Sequence, residues 1–185
     1  MFRDSLENKE RPERLESKVT MDSSASLSYP AEDQRERTLI SEGFNGCNGV
    51  AFATKNNGII EIGLTHYGPE QTELNLNKLR QMITEKGEGK VICFTRGSWI
   101  QNIDGKYEMQ VDTGFKSDAD FLNTLGNIAK DKGLELEIIP YQFDVNPFGS
   151  GIEIKGRGDK IQVRMFDQFN EHLQWKYFSL DSKEM

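Results

Sequence analysis

From about residue 38 onward, apolar and polar positions fall into short runs separated by turn residues, and the first two runs pair as a hairpin. The stretch Cys47-Asn48-Gly49-Val50-Ala51-Phe52-Ala53-Thr54 is followed by the polar Lys55-Asn56-Asn57-Gly58, then by Ile59-Ile60-Glu61-Ile62-Gly63-Leu64-Thr65-His66. Two β-prone runs split by Asn-Gly are the strongest short-range hairpin signal. If Asn57-Gly58 is the two-residue turn, Ala53 faces Ile62, Ala51 faces Leu64 and Gly49 faces His66. Side chains alternate along a strand, so Cys47 then shares a face with His66, one diagonal step away. If Asn56-Asn57 is the turn, Cys47 lies directly opposite His66. Either register sets small Ala51 and Ala53 against large Leu64 and Ile62, as a packed face requires.

Beyond the hairpin the period changes. Leu74, Leu76, Leu79, Met82 and Ile83 recur at helical spacing after Pro69-Glu70, and Gly87 closes that stretch. Lys90 to Thr95 reads as a buried strand. Gly97 to Gly114 is loop-like, with a short hairpin around Asp104-Gly105. Ser117 suits an N-cap ahead of the stripe Phe121, Leu122, Leu125, Ile128 and Ala129, which ends at Gly133. Leu134 to Ile139 alternates as a strand, and Asp144 to Gly151 is a Gly/Pro loop. Ile152–Ile154, Ile161–Phe166 and Leu173–Phe178 complete the order ββ-α-β-α-β-βββ. The expected fold is one mixed α/β (α+β) domain, a sandwich-like β-sheet system with two main helices, over residues 38–185. Residues 1–37 are charged and Ser-rich with few apolar positions; they are expected to form a disordered tail, with a short helix over 6–15.

Composition narrows the partners. The 185-residue chain carries a formal charge of −7, which argues against a phosphate-tracking nucleic-acid surface. No apolar run approaches the ~18 residues of a membrane span, and no basic start leads into an apolar core, so no secretory signal of the ordinary kind is read. The expected location is the cytoplasm, or the cytosol of a target cell if the chain is delivered as an effector. Two cysteines, Cys47 and Cys93, and two histidines lack the paired spacing of a structural zinc site. Cys93, inside Val91-Ile92-Cys93-Phe94, reads as a core thiol.

The hairpin therefore carries the candidate chemistry, beside the plainer reading of Cys47 as a small apolar residue at a strand end and His66 as a satisfied polar cap. A thiol beside an imidazole can form a nucleophile able to attack acyl carbon at neutral pH. Gly49 leaves space for the imidazole to lean toward the thiol. Arg157-Gly158-Asp159 reads as a plain turn, Gly149-Ser150-Gly151 as a flexible connection, and His172 as a solvated hairpin residue. Trp99 and Tyr107 are candidates for a partner surface.

The run Gly46-Cys47-Asn48-Gly49-Val50-Ala51-Phe52, the Asn-Gly turn, and Ile62-Gly63-Leu64-Thr65-His66-Tyr67 resemble the CheD family of chemoreceptor glutamine deamidases. They also resemble the deamidase domains of cytotoxic necrotizing factors and of lethal-factor-type toxins that act on a translation helicase. The resemblance covers roughly residues 38–180, and its sharp motifs are a Gly-Cys, a Gly-x-x-His and their spacing. CheD proteins usually carry Gly-Ser-Cys where this chain has Asn45-Gly46-Cys47, closer to the Leu-Ser-Gly-Cys of the toxin branch. They also place a threonine six residues before the cysteine; here Ser41 holds that position, with Thr38 or a backbone carbonyl as alternatives.

The resemblance implies a protein glutamine deamidase that needs no cofactor or metal. Cys47 would be the nucleophile held as thiolate by His66, with Ser41 as the third member. Backbone N–H groups at Cys47 and at Gly46 or Asn45 would receive the oxyanion, and Gly49, Gly63 and Tyr67 would border the approaching substrate, a protein that presents a glutamine. Two other readings stand beside it: a non-catalytic interaction or adaptor domain on the same fold, and transglutaminase-type acyl transfer to an amine.

Overall fold

The computed structural model describes residues 15–44, 46–96, 99–101, 107–109, 117–141, 150–167 and 175–180. Twelve strands and two α-helices occur in these residues, ordered β1 (Leu15–Val19), β2 (Ser23–Pro30), β3 (Arg37–Glu42), β4 (Asn48–Asn56), β5 (Ile59–Tyr67), α1 (Thr72–Met82), β6 (Glu88–Arg96), β7 (Trp99–Gln101), β8 (Tyr107–Met109), α2 (Ser117–Lys132), β9 (Glu135–Tyr141), β10 (Ser150–Arg157), β11 (Lys160–Asp167) and β12 (Trp175–Ser179). A 3-10 turn over Pro69–Gln71 leads into α1. The fold is mixed α+β, with two five-stranded mixed sheets and two helices.

One sheet runs β1-β3-β10-β11-β12 and the other β2-β5-β4-β6-β9. They pack face to face over a core that includes Val19, Leu39, Ile152, Ile154, Val163 and Met165 from one side. Ala51, Ala53, Ile62, Leu64, Ile92 and Phe94 meet them from the other. The outer face of the second sheet is covered by α1 and α2, where Val50, Phe52, Val91 and Cys93 meet Leu79, Ile83, Phe121, Leu125 and Ile128. The helical stripes anticipated from periodicity are these buried faces, except that Leu74, expected in the first stripe, is exposed. The small pair β7-β8 is the hairpin expected around Asp104-Gly105, whose turn lies outside the described residues.

The β4-β5 register settles the choice of turn. Asn56 pairs with Ile59, Ala53 with Ile62, Ala51 with Leu64 and Gly49 with His66. Asn57 and Gly58 both have positive φ, 49° and 77°, the geometry of a type I′ turn, whose twist matches that of the flanking strands.

The expectation of a disordered tail over residues 1–37 is corrected for residues 15–37. β1 pairs in parallel with β3, β2 pairs antiparallel with β5, and Leu15 opens β1 rather than closing a helix. The Ser-rich stretch hides a period of two: Ala25, Leu27 and Tyr29 pair with Leu64, Ile62 and Ile60 and pack toward the inter-sheet core, while Ser24, Ser26 and Ser28 alternate with them. β3, also absent from the expected element order, joins the N-terminal segment to β10. The chain crosses from one sheet to the other through Thr20–Asp22, at the edge where Val19 pairs with Ser41 and Ser23 with His66.

Candidate active site

His66 lies one residue before the end of β5, on the face turned to the inter-sheet core, and it is fully buried. Cys47 immediately precedes β4. It belongs to the same core cluster, at 4% exposure, on the same face as Ala51 and Ala53. The hairpin therefore places both side chains on one face, a diagonal step apart. Cys93 packs on the opposite, helix-covered face of the sheet, so the two thiols cannot be joined without breaking the strands between them.

Ser41 reaches the pair from the facing sheet. Its Oγ lies 2.8 Å from His66 Nδ1 and 2.6 Å from the carbonyl oxygen of Val19. A hydroxyl has one proton, and a carbonyl can only accept, so the Ser41 O–H donates to Val19. His66 Nδ1–H must then donate to Ser41 Oγ, which leaves Nε2 as the bare, basic nitrogen. That atom is buried and has no hydrogen-bond partner among the described residues. Such an orphan lone pair in a core is costly unless it has a task.

The imidazole is also held flat. Phe44, itself buried, stacks on it with ring centroids 3.8 Å apart and planes 13° from parallel. This corrects the expectation for Gly49. A side chain there would collide with Phe44 and with Ile152, so the space beside Gly49 admits those residues rather than a leaning imidazole.

Burial lowers the His66 pKa from 6.5 to about 4, opposed only weakly by the Asp22 carboxylate in the crossing turn. The resting imidazole is therefore neutral at pH 7. The low-dielectric core disfavours the charged ring that a preformed thiolate–imidazolium pair requires.

The other anticipated residues are spread more widely. Thr38 stands on the other face of β3 from Ser41, away from His66; its buried Oγ1 has no hydrogen-bond partner among the described residues. A backbone carbonyl does take part, since Val19 acts through Ser41. Gly46 is buried, with φ of 76°. Asn45 lies outside the described residues, as do His172 and Gly149. Only the backbones of Trp99 and Tyr107 are described.

Gly63 and Tyr67 point to the helix-covered face, opposite His66. A Cβ at Gly63 would enter the Phe52 ring, its cross-strand partner, so the missing side chain here lets Phe52 pack. Tyr67 is buried at 2% exposure. Arg157-Gly158-Asp159 is the tight β10-β11 connection, with Gly158 N–H donating to the Asp33 carbonyl and Leu180 N–H to that of Asp159.

Three contributors were not singled out from the residues. Val19 lies in the segment expected to be a tail, and Phe44 belongs to no motif singled out above. The third is Tyr141, whose hydroxyl donates to the Cys47 carbonyl at 2.5 Å. The alternation of Ala25, Leu27 and Tyr29 could have located the first strands, but nothing in the spacing of Phe44 or Tyr141 signals a contact with Cys47 or His66.

Among the described residues no helix is long and apolar enough to cross a membrane. No protein-family model matches the sequence, and no curated protein matches it. Among solved structures the chain is similar to the C-terminal domain of CNFy from Yersinia pseudotuberculosis. The TM-score is 0.43 and the identity 12%, over 88% of this chain and 62% of that one. The chain thus spans about three-fifths of the length of that neighbour.

Proposed function

We propose that this protein is a cysteine-dependent amidohydrolase that deamidates a glutamine side chain on a partner protein. The observation that carries the proposal is that Ser41 O–H donates to the Val19 carbonyl and His66 Nδ1–H donates to Ser41 Oγ, which leaves Nε2 basic and unpaired on the face shared with Cys47. A nucleophile, a base and a group that orients the base are the parts acyl transfer needs. The sequence resemblance of Gly46-Cys47 and Gly63-Leu64-Thr65-His66 to glutamine deamidases supplies the substrate class.

In this reading Nε2 takes the thiol proton as Sγ attacks the amide carbon. The oxyanion is received by backbone N–H groups at Gly46 and Cys47. The imidazolium returns the proton to the amide nitrogen, ammonia leaves, and a thioester remains on Cys47. A water, deprotonated by the same Nε2, cleaves the thioester to release glutamate and the thiol. His66 needs to be neutral at the start of each half, and its lowered pKa meets that need.

The low exposure of Cys47 favours a second reading, an interaction domain in which the thiol only fills the core. The two readings separate by the rate of Cys47 alkylation against pH, in wild type and His66→Ala. Thiol with neutral imidazole and thiolate with imidazolium hold the same number of protons, so the pair titrates as a unit. The deamidase reading expects a rate plateau beginning near the His66 pKa of about 4 and extending through pH 7. In His66→Ala the plateau should vanish and the rate should rise only near the ordinary thiol pKa of ~8.5. A wild-type profile already of that ordinary form would sink the deamidase reading. Transglutaminase-type chemistry would share the plateau and is distinguished by its product, an amine-linked side chain in place of glutamate.

A further inference from the structure

We infer that Tyr141 is a positioning residue for the nucleophile: its hydroxyl, donated to the Cys47 carbonyl, sets the Cys47 main chain so that Sγ is directed to His66 Nε2. This inference rests on the deamidase reading and names a residue outside the pair and its serine.

The argument starts from where the sheet ends. β4 pairs with β6 from Gly49↔Phe94 to Lys55↔Glu88, so the ladder stops two residues short of Cys47. Cys47 is therefore anchored less by strand pairing than the residues that follow it. β9, the strand beyond β6, extends further in this direction, to Arg96↔Tyr141. Ile139 and Tyr141 both turn to the inter-sheet core, the face of Cys47 and His66. Tyr141 thus spans the end of β6 and hydrogen-bonds the Cys47 carbonyl. Buried carbonyls need a partner, and a side-chain donor does here what a ladder bond does elsewhere.

Fixing that carbonyl fixes the rotation of the Cys47–Asn48 peptide, and with it the direction of the Cα–Cβ bond. On its other side the peptide is held by the Asn48 side chain, whose Oδ1 accepts from Thr95 Oγ1 at 2.9 Å on the helix-covered face. The nucleophile is clamped from both faces of the sheet. A displacement of 1 Å at a reacting atom is costly, which gives the clamp a kinetic purpose beyond stability.

Tyr141→Phe keeps the ring and removes the donor. Two readouts test it. With carbonyl-13C cysteine the full-length protein gives two backbone carbonyl resonances. The Cys47 signal should move in Tyr141→Phe while the Cys93 signal stays, reporting loss of the hydrogen bond alone. In the alkylation profile, Tyr141→Phe should lower the Cys47 plateau between pH 5 and 7 roughly tenfold relative to the limb above the ordinary thiol pKa of ~8.5, because a displaced thiol gives up less of its proton to the same ring. A purely structural role would scale the plateau and the high-pH limb by the same factor; that outcome overturns the inference while the deamidase reading survives. A wild-type profile without the plateau overturns both. If Tyr141→Phe is too unstable to titrate, Tyr141→Met, which fills the site without a donor, replaces it in both readouts; an unmoved Cys47 carbonyl signal in a folded variant also overturns the inference.

Discussion

At the scale of single residues, the state of His66 follows from counting protons. Ser41 has one hydrogen, Val19 takes it, and the ring must present its own N–H in return. Replacing Ser41 with Ala removes the acceptor of Nδ1–H and frees the tautomer. We expect kcat to fall roughly tenfold or more, the worth of one hydrogen bond of about 1–2 kcal/mol, with KM little changed. Steady-state kinetics on a glutamine-bearing substrate checks this. Burial of the neutral ring also has a thermodynamic consequence. The unfolded state binds a proton near pH 6.5 and the folded state only near pH 4, so below 6.5 the unfolded chain holds more protons. Stability contributed by His66 is intact above pH 6.5, declines as the pH falls to about 4, and loses at most on the order of 3 kcal/mol. The Asp22 carboxylate, which favours the charged ring, softens this slope. Urea unfolding midpoints measured at pH 7 and pH 4.5 should differ more in the wild type than in His66→Gln, which cannot take up the proton.

At the scale of elements, the β4-β5 hairpin was legible because three local signals agree. Asn57-Gly58 demands positive φ, alternation assigns the faces, and small residues oppose large ones. Its register brings Cys47 and His66 to one face, so the heart of the candidate site could be read without coordinates. Glycines on the same hairpin were less legible, since absence of a side chain does not say what fills the space. Gly63 looked like room for substrate, yet the Phe52 ring occupies it from the neighbouring strand. Gly63→Ala should therefore cost about 1–3 kcal/mol in chemical denaturation, the usual penalty of overpacking, while the Cys47 alkylation profile keeps its shape. A large change in the pH onset with little loss of stability would return Gly63 to the active face. Helices α1 and α2 were legible for a similar reason as the hairpin: Leu79, Ile83, Phe121 and Leu125 recur at the period that buries one stripe on the sheet.

At the scale of the whole molecule, the candidate site belongs to the join between two sheets, and such joins leave little trace in local pattern. Ser41 comes from one sheet, Cys47 and His66 from the other, and the Thr20–Asp22 crossing closes the edge beside them. The crossing was hidden because β1 and β2 are sheet edges; each needs only one apolar face, and theirs is diluted by serine and charge. It is the low hydrophobicity of a half-buried edge, not disorder, that residues 15–30 express. A chain started at Ser23 tests what the crossing contributes. It loses β1, so β3 becomes an unprotected edge and the buried Val19 side chain is gone, worth about 2 kcal/mol from its burial alone. It also loses the carbonyl that holds the Ser41 hydroxyl, and the hydroxyl is then free to donate to Nδ1 and invert the tautomer. The truncated protein should show a lower unfolding midpoint and also a later onset of Cys47 alkylation. In a Ser41→Ala background the truncation should still lower the midpoint but no longer move the onset, because the path from Val19 to His66 runs through Ser41. Equal shifts of onset in both backgrounds would mean that the N-terminal strand acts on the pair by another route, through packing around Phe44 or the field of Asp22, and that the Val19–Ser41 bond does not set the tautomer.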